Sequence, residues 1–168
     1  AIHVARYDEP LVELNGDFAY VASAETAHAA GSALSSRLTV VDVAHAGAPR
    51  LLSSVVVSGS ILTLAVADGY LFARAWRSAP SGEGIVDLGS ETHVVDVRDA
   101  TAPRVVGQLP ASAHGGRDTL AVRGGRVYVG SGETGVWVFD PPLGWPRPRG
   151  PVRLSLPWVG LQAEDIRP

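Results

Sequence analysis

The chain has 168 residues and a mass of 17.5 kDa, the size of one domain. Hydrophobic residues make up 46% and charged residues 18% of it, which suits a packed core and excludes a disordered tail. The net charge of -3, with no basic run, argues against a nucleic-acid partner, and the absence of Cys excludes disulfides, thiol nucleophiles and cysteine-ligated metals.

Nineteen Gly and twelve Pro point to many turns and short elements. There is no Met, so Ala1 is not read as a translation start and the chain is expected to be processed or cut from something longer. All 14 basic residues are Arg, which with the abundant Ala, Gly, Pro and Val suggests a GC-rich genome. The longest apolar stretch, 61–67, is interrupted by Thr63 and falls well short of the about 20 residues that span a bilayer, so no membrane span is expected.

Along the chain, Ile2-His3-Val4-Ala5-Arg6-Tyr7 reads as the outer strand of a preceding unit. A short strand over 11–14 follows, then a Gly turn and Phe18-Ala19-Tyr20-Val21-Ala22-Ser23. After 24–37 comes Leu38-Thr39-Val40-Val41-Asp42-Val43, the exit Ala48-Pro49-Arg50, and a strand over 51–57. The same order then recurs: a strand over 61–66, Asp68-Gly69-Tyr70-Leu71-Phe72-Ala73, an insertion at 76–91, Thr92-His93-Val94-Val95-Asp96-Val97, Ala102-Pro103-Arg104, and a strand over 105–109. A third round runs through 119–122, Gly124-Gly125-Arg126-Val127-Tyr128-Val129-Gly130-Ser131, Val136-Trp137-Val138-Phe139-Asp140 and 152–156. Residues 161–166 resemble the start of another unit.

Tyr20, Phe72 and Tyr128 form one column of this repeat, and Asp42, Asp96 and Asp140 another. Asp42 to Asp96 is 54 residues and Asp96 to Asp140 is 44, while each of the first two Asp residues precedes its Pro by 7. Tyr20 to Asp42 is 22 residues, Phe72 to Asp96 is 24, and Tyr128 to Asp140 only 12. The segments 24–37 and 76–91, rich in Ala, Ser and Gly, are therefore insertions between the second and third strands, and 141–148 is an expansion after the third. No window keeps a helical apolar spacing, so no long helix is expected.

Four strands per unit at a period in the forties is the signature of a β-propeller blade. The expected fold is all-β: consecutive four-stranded antiparallel blades of a propeller, with about three blades in an open segment. Their expected bounds are about 11–57, 61–110 and 118–157, with 1–10 and 158–168 belonging to neighbouring blades. The run Val94-Val95-Asp96-Val97-Arg98-Asp99-Ala100-Thr101-Ala102-Pro103-Arg104-Val105-Val106-Gly107 resembles the LVIVD repeat. The first copy departs from that pattern at His45-Ala46 and the third after Asp140-Pro141-Pro142. The resemblance implies a bacterial or archaeal, extracellular or cell-surface protein and says almost nothing of activity. WD, quinoprotein and kelch blades fit less well.

Four features invite a chemical reading, and for each the structural one is preferred. Gly130-Ser131-Gly132-Glu133-Thr134-Gly135 matches a dinucleotide fingerprint, but a strand follows it instead of a helix, so it reads as a hairpin turn. The Asp column is expected to accept backbone N–H bonds in turns rather than to bind Ca²⁺. His3, His28, His45, His93 and His114 lack metal-ligand spacing, and His93 is placed on a blade face. No Gly-x-Ser-x-Gly elbow is present, and Glu164-Asp165 would diverge on any strand.

The functional pointer is geometric. In a four-stranded meander, the loops after second strands and the connectors between units leave the same end. Both insertions, together with Ser58-Gly59-Ser60 and the segment 111–117, are expected there, with the insertions more mobile than the strands and dispensable for folding. This end would carry Glu25, His28, Arg77, Glu83, Asp87, His114, Arg117 and Glu133. The leading expectation is a non-catalytic scaffold without cofactors, presenting loops to a protein or glycan. The alternative is an accessory propeller segment of a larger secreted enzyme, such as a hydrolase, with its catalytic residues elsewhere. Expected partners are neighbouring blades of the same full-length chain or a second copy, because an open stack leaves a face uncovered on each end sheet. These faces carry the aliphatic columns Val12, Leu14, Val21 and Val41 on the first and Val127, Val129, Val136 and Val138 on the third, the sequence leaving open at both ends which member of each alternating pair points outward.

Overall fold

The structure, a computed structural model, describes residues 10–25, 34–81, 84–112, 119–131, 135–139 and 152–154. Twelve strands follow one another in the described residues, with no helix among them. Sheet 1 holds β1 (Leu11–Asn15), β2 (Phe18–Glu25), β3 (Ser35–Asp42) and β4 (Arg50–Ser58). Sheet 2 holds β5 (Ser60–Ala67), β6 (Tyr70–Ser81), β7 (Gly84–Asp96) and β8 (Arg104–Ser112). Sheet 3 holds β9 (Thr119–Arg123), β10 (Arg126–Ser131), β11 (Gly135–Phe139) and β12 (Val152–Leu154). Each sheet is an antiparallel meander in which strand order is chain order.

Two-residue turns open all three units. Asn15 pairs with Phe18, Ala67 with Tyr70, and Arg123 with Arg126. Such tight hairpins need positive φ, which Asp68 and Gly69 supply at +52° and +77°, and Gly124 and Gly125 at +57° and +73°. Asp-Gly and Gly-Gly meet that demand at little steric cost.

The sequence columns coincide in register. Tyr20 lies opposite Val40, Phe72 opposite Val94, and Tyr128 opposite Val138. Asp42 and Asp96 each end the third strand of their sheet, opposite Arg50 and Arg104. One further feature repeats: the ladder slips by a residue between Val40 and Val41, and again between Val94 and Val95. Leu52 and Val106 are the extra residues opposite these two slips, so even the β-bulge belongs to the repeat.

The three sheets stack in chain order, with sheet 2 in the middle. One apolar cluster joins Tyr20, Leu38 and Val40 of sheet 1 to Leu71, Ala73 and Val95 of sheet 2. A second joins Phe72 and Val94 of sheet 2 to Val127, Val129 and Phe139 of sheet 3. Neighbouring residues alternate between faces of a strand, so Leu71 and Phe72 serve opposite interfaces. Each of the Val, Leu and Phe side chains contributes roughly 1.5–3 kcal/mol by leaving water. The first strands β1, β5 and β9 are neighbours in turn, while β4 and β8 touch more sparsely. The described sheets do not close on themselves, and Val12 and Leu14 on the far side of sheet 1 stay 56% and 66% exposed.

The expectation of two loop insertions needs correction. Residues 76–91 are mostly strand: β6 continues to Ser81 and β7 begins at Gly84. Their backbone groups pair from Trp76 opposite Ser90 out to Ser81 opposite Gly84, so the insertion is a β-hairpin continuous with sheet 2. Small side chains pack weakly, but they do not prevent the backbone ladder that satisfies the hairpin's polar groups. In the first insertion, Ala24 and Glu25 extend β2, and Ser35, Ser36 and Arg37 begin β3. The interior of 24–37 and the expansion at 141–148 fall outside the described residues.

Candidate functional site

The connector between sheets 1 and 2 meets the long β6–β7 hairpin at one end of the stack. Ser60 pairs with Trp76, and a Cβ on Gly59 would lie 2.6 Å from the Trp76 carbonyl oxygen. Gly59 has φ +86°, a conformation and a closeness that only glycine tolerates. The adjacent Ser36 hydroxyl donates to the Gly59 carbonyl at 2.9 Å and accepts from the Ile61 N–H at 3.0 Å, locking the connector to β3.

Beside this junction lies a polar cluster on the face of sheet 2 that looks toward sheet 1. Glu91 and His93 point to that face together with Val95, opposite the small residues Ala75 and Ala73. Glu91 is buried, and its carboxylate accepts from the Ser58 hydroxyl at 2.8 Å and from Arg77 at 3.0 Å. The His93 Nε2 lies 2.8 Å from the Ser58 carbonyl and 3.2 Å from Glu91 Oε1. Both of those oxygens only accept, so Nε2 carries a proton, while Nδ1 faces the Gln108 side-chain amide at 3.4 Å. The imidazole nitrogen 3.5 Å from the Ser58 hydroxyl is the protonated one and does not accept from it, and the hydroxyl donates to Glu91 instead.

On the opposite face, Arg74 is fully buried on the side of Phe72 and Val94. It donates to Thr92 Oγ1 at 3.3 Å and to Ser90 Oγ at 2.7 Å. Burial lowers its pKa to about 10, so it stays charged at neutral pH.

Three of the sequence-derived site residues, Glu25, Arg77 and Asp87, fall within the described residues. Arg77 is partly exposed on the hairpin and ion-paired with Glu91. Asp87 accepts from the Trp76 indole N–H at 2.8 Å and from the Gly89 N–H at 2.7 Å. Arg77 and Asp87 thus belong to one hairpin but engage different partners. Glu25 ends β2. His28, Glu83, His114, Arg117 and Glu133 lie outside the described residues. Among the described residues, no three His, Asp or Glu converge as a metal site, and no helix is long and apolar enough to cross a membrane.

Sequence reasoning passed over Ser58 as a site residue, and with it Glu91 and Arg74. A signal was present: Ser90-Glu91-Thr92-His93 sets four polar residues in a strand that continues as Val94-Val95, facing alternate alanines on β6. His93 lies on a face of sheet 2, where the alternation of its strand places it, and is buried there. His45 sits in an exposed turn.

The two members of the Asp column within the described residues act on their own turns. Asp42 Oδ1 accepts from the Ala44 N–H at 3.0 Å, and Asp96 Oδ1 from the Arg98 N–H at 3.1 Å. The backbone repeats alongside them: Ala48 N–H donates to the His45 carbonyl and Ala102 N–H to the Asp99 carbonyl, while Val43 N–H reaches Asp17 and Val97 N–H reaches Gly69. The hydrogen bond from the Arg98 guanidinium is the main cause that holds the Asp96 carboxyl below its ordinary pKa, and the Thr101 hydroxyl and N–H do the same for Asp99. Asp140 is outside the described residues. Gly130-Ser131-Gly132-Glu133-Thr134-Gly135 bridges β10 and β11, with Ser131 paired to Gly135, so strand and not helix follows it. Compared with known protein families and with curated proteins, the chain matches none.

Proposed function

We propose that this protein is a non-catalytic β-propeller segment of the LVIVD-repeat type, whose connector-and-hairpin end presents a binding rim to a protein or glycan outside the cell. One observation carries the reading: the Ser58-Gly59-Ser60 connector and the β6–β7 hairpin are built together at one end of the stack. Rigid support under an exposed rim is the usual arrangement for recognition. Arg77, Asp87 and the exposed Val86 and Leu88 give that rim both charge and apolar surface.

The blade reading draws support from the successive sheets, the adjacency of β1, β5 and β9, and the shared bulge and Asp turn. The non-catalytic reading draws support from the burial of Glu91 and His93, which leaves neither side chain open to a substrate.

The test is a screen of the full chain against immobilised oligosaccharides and extracellular proteins, repeated with Arg77→Ala and Leu88→Ala. Binding that falls at least tenfold in either variant, with the fold intact by circular dichroism, supports the rim. Turnover of ester or glycoside substrates that is lost in Ser58→Ala would overturn the non-catalytic reading.

A further inference from the structure

Each sheet packs on the next through the same pair of faces. The set Val12, Leu14, Val21 and Val41 on sheet 1 occupies the register positions of Leu64, Val66, Ala73 and Val95 on sheet 2, and of Leu120, Val122, Val129 and Phe139 on sheet 3. On sheets 2 and 3 this face belongs to the apolar cluster shared with the preceding sheet. On sheet 1 the same face has no preceding sheet in the described stack, and its Val12 and Leu14 are exposed. The other face behaves likewise. Tyr20 with Val40, and Phe72 with Val94, pack on the following sheet, whereas the equivalent Tyr128 with Val138 lies on the far side of sheet 3, only partly buried.

Among the described residues neither outer face packs on another sheet, and the two are the two halves of one interface that the chain already forms twice. We propose that they meet between molecules: the outer face of sheet 1 in one copy packs on the outer face of sheet 3 in a second copy, in both directions, closing a six-sheet ring from two chains. This rests on reading the sheets as successive blades. Joining unlike faces is a heterologous contact, which gives a closed ring or an open filament according to whether the rotation closes. Closed propellers hold about four to eight blades, so two copies of three fit and three copies do not. The occupant is a second copy because its sheet 3 offers, at matching register, the Tyr and Val positions against which this face packs within the chain.

The experiment is light scattering on the eluting full chain at tens of micromolar, for the wild type, Leu14→Arg, Val138→Arg, and an equimolar mixture of the two variants. Leu88→Arg on the hairpin serves as a control, and Val12→Arg replaces Leu14→Arg should the latter lose its β-sheet circular dichroism. The expected wild-type mass is twice 17.5 kDa. Each variant alone should fall to the monomer mass, and the control should not. The mixture should regain the dimer, because one of its two contacts then joins two unsubstituted faces. A monomeric wild type, a ladder of larger masses, or a dimer indifferent to Val138→Arg would each overturn the proposal. Methyl contacts between Val94 and Val127 in a monomeric sample would show that the blade stack stands although the dimer does not; their absence would show that the blade reading itself has failed.

Discussion

Replacing Phe72 by Ala tests the inter-sheet packing most sharply, because Phe72 shares its repeat column with Tyr128 but not its surroundings. Phe72 is 1% exposed in the cluster between sheets 2 and 3, so truncation removes a ring and leaves a cavity that β-sheet backbones cannot collapse around. Buried Phe→Ala changes cost about 3–5 kcal/mol, a large part of the about 5–15 kcal/mol that holds a domain folded. Tyr128 lies on the far side of sheet 3 and is half-buried, so Tyr128→Ala should cost about 1 kcal/mol. Both are best measured in the Leu14→Arg background, which keeps that outer face uncovered. Urea unfolding followed by circular dichroism reads the difference: with a slope of about 2 kcal/mol per molar, Phe72→Ala should lower the midpoint by about 2 M. Equal costs for the two substitutions, or a loss below about 1 kcal/mol at Phe72, would refute the assignment of faces.

Other outcomes follow from the turns and the polar cluster. The folded-state pKa values of Asp96 and Asp99 are lowered, so their contribution is present above the unfolded value of about 3.9 and is lost as pH falls below it. Asp96→Asn should flatten the acid limb of a midpoint-against-pH curve, and an unchanged limb would contradict the turn assignment. Gly59→Ala should destabilise by at least about 1–3 kcal/mol in the same urea assay, because it forces a side chain onto positive φ and against the Trp76 carbonyl. Glu91→Ala strips the acceptor from Ser58 and Arg77 and should cost about 1–3 kcal/mol, while Ser58→Ala should cost about 1 kcal/mol; a larger loss at Ser58 than at Glu91 would invert the account of that cluster.

Much of this fold was legible because its determinants are local. Paired Gly and Asp residues fix the hairpins, alternation fixes the strands, and Asp42 and Asp96 fix turns at matching distances from Pro49 and Pro103. The bulges opposite Leu52 and Val106 were hidden, since a slip of one residue leaves no compositional mark. The low apolar content of 76–91 predicts a loop, whereas its stabilisation comes from backbone pairing, which composition does not report. The Glu91–His93–Ser58 cluster depends on a contact across 33 to 35 positions between two sheets, which spacing within one strand cannot reveal. Which aliphatic of each alternating pair faces outward was likewise settled only by the stack: Val127 and Val129 face sheet 2, and Val136 and Val138 turn away from it.

The most direct measurement is a set of methyl and aromatic nuclear Overhauser contacts across the stack in the isotopically labelled chain. The repeat requires Leu38 and Val40 of sheet 1 to contact Leu71 and Ala73 of sheet 2, and Phe72 and Val94 of sheet 2 to contact Val127 and Val129 of sheet 3. Contacts in those two groups, with Leu71 never near Val127, are the predicted result. Contacts joining Leu71 to sheet 3 or Phe72 to sheet 1 would contradict the stacking of like-registered sheets.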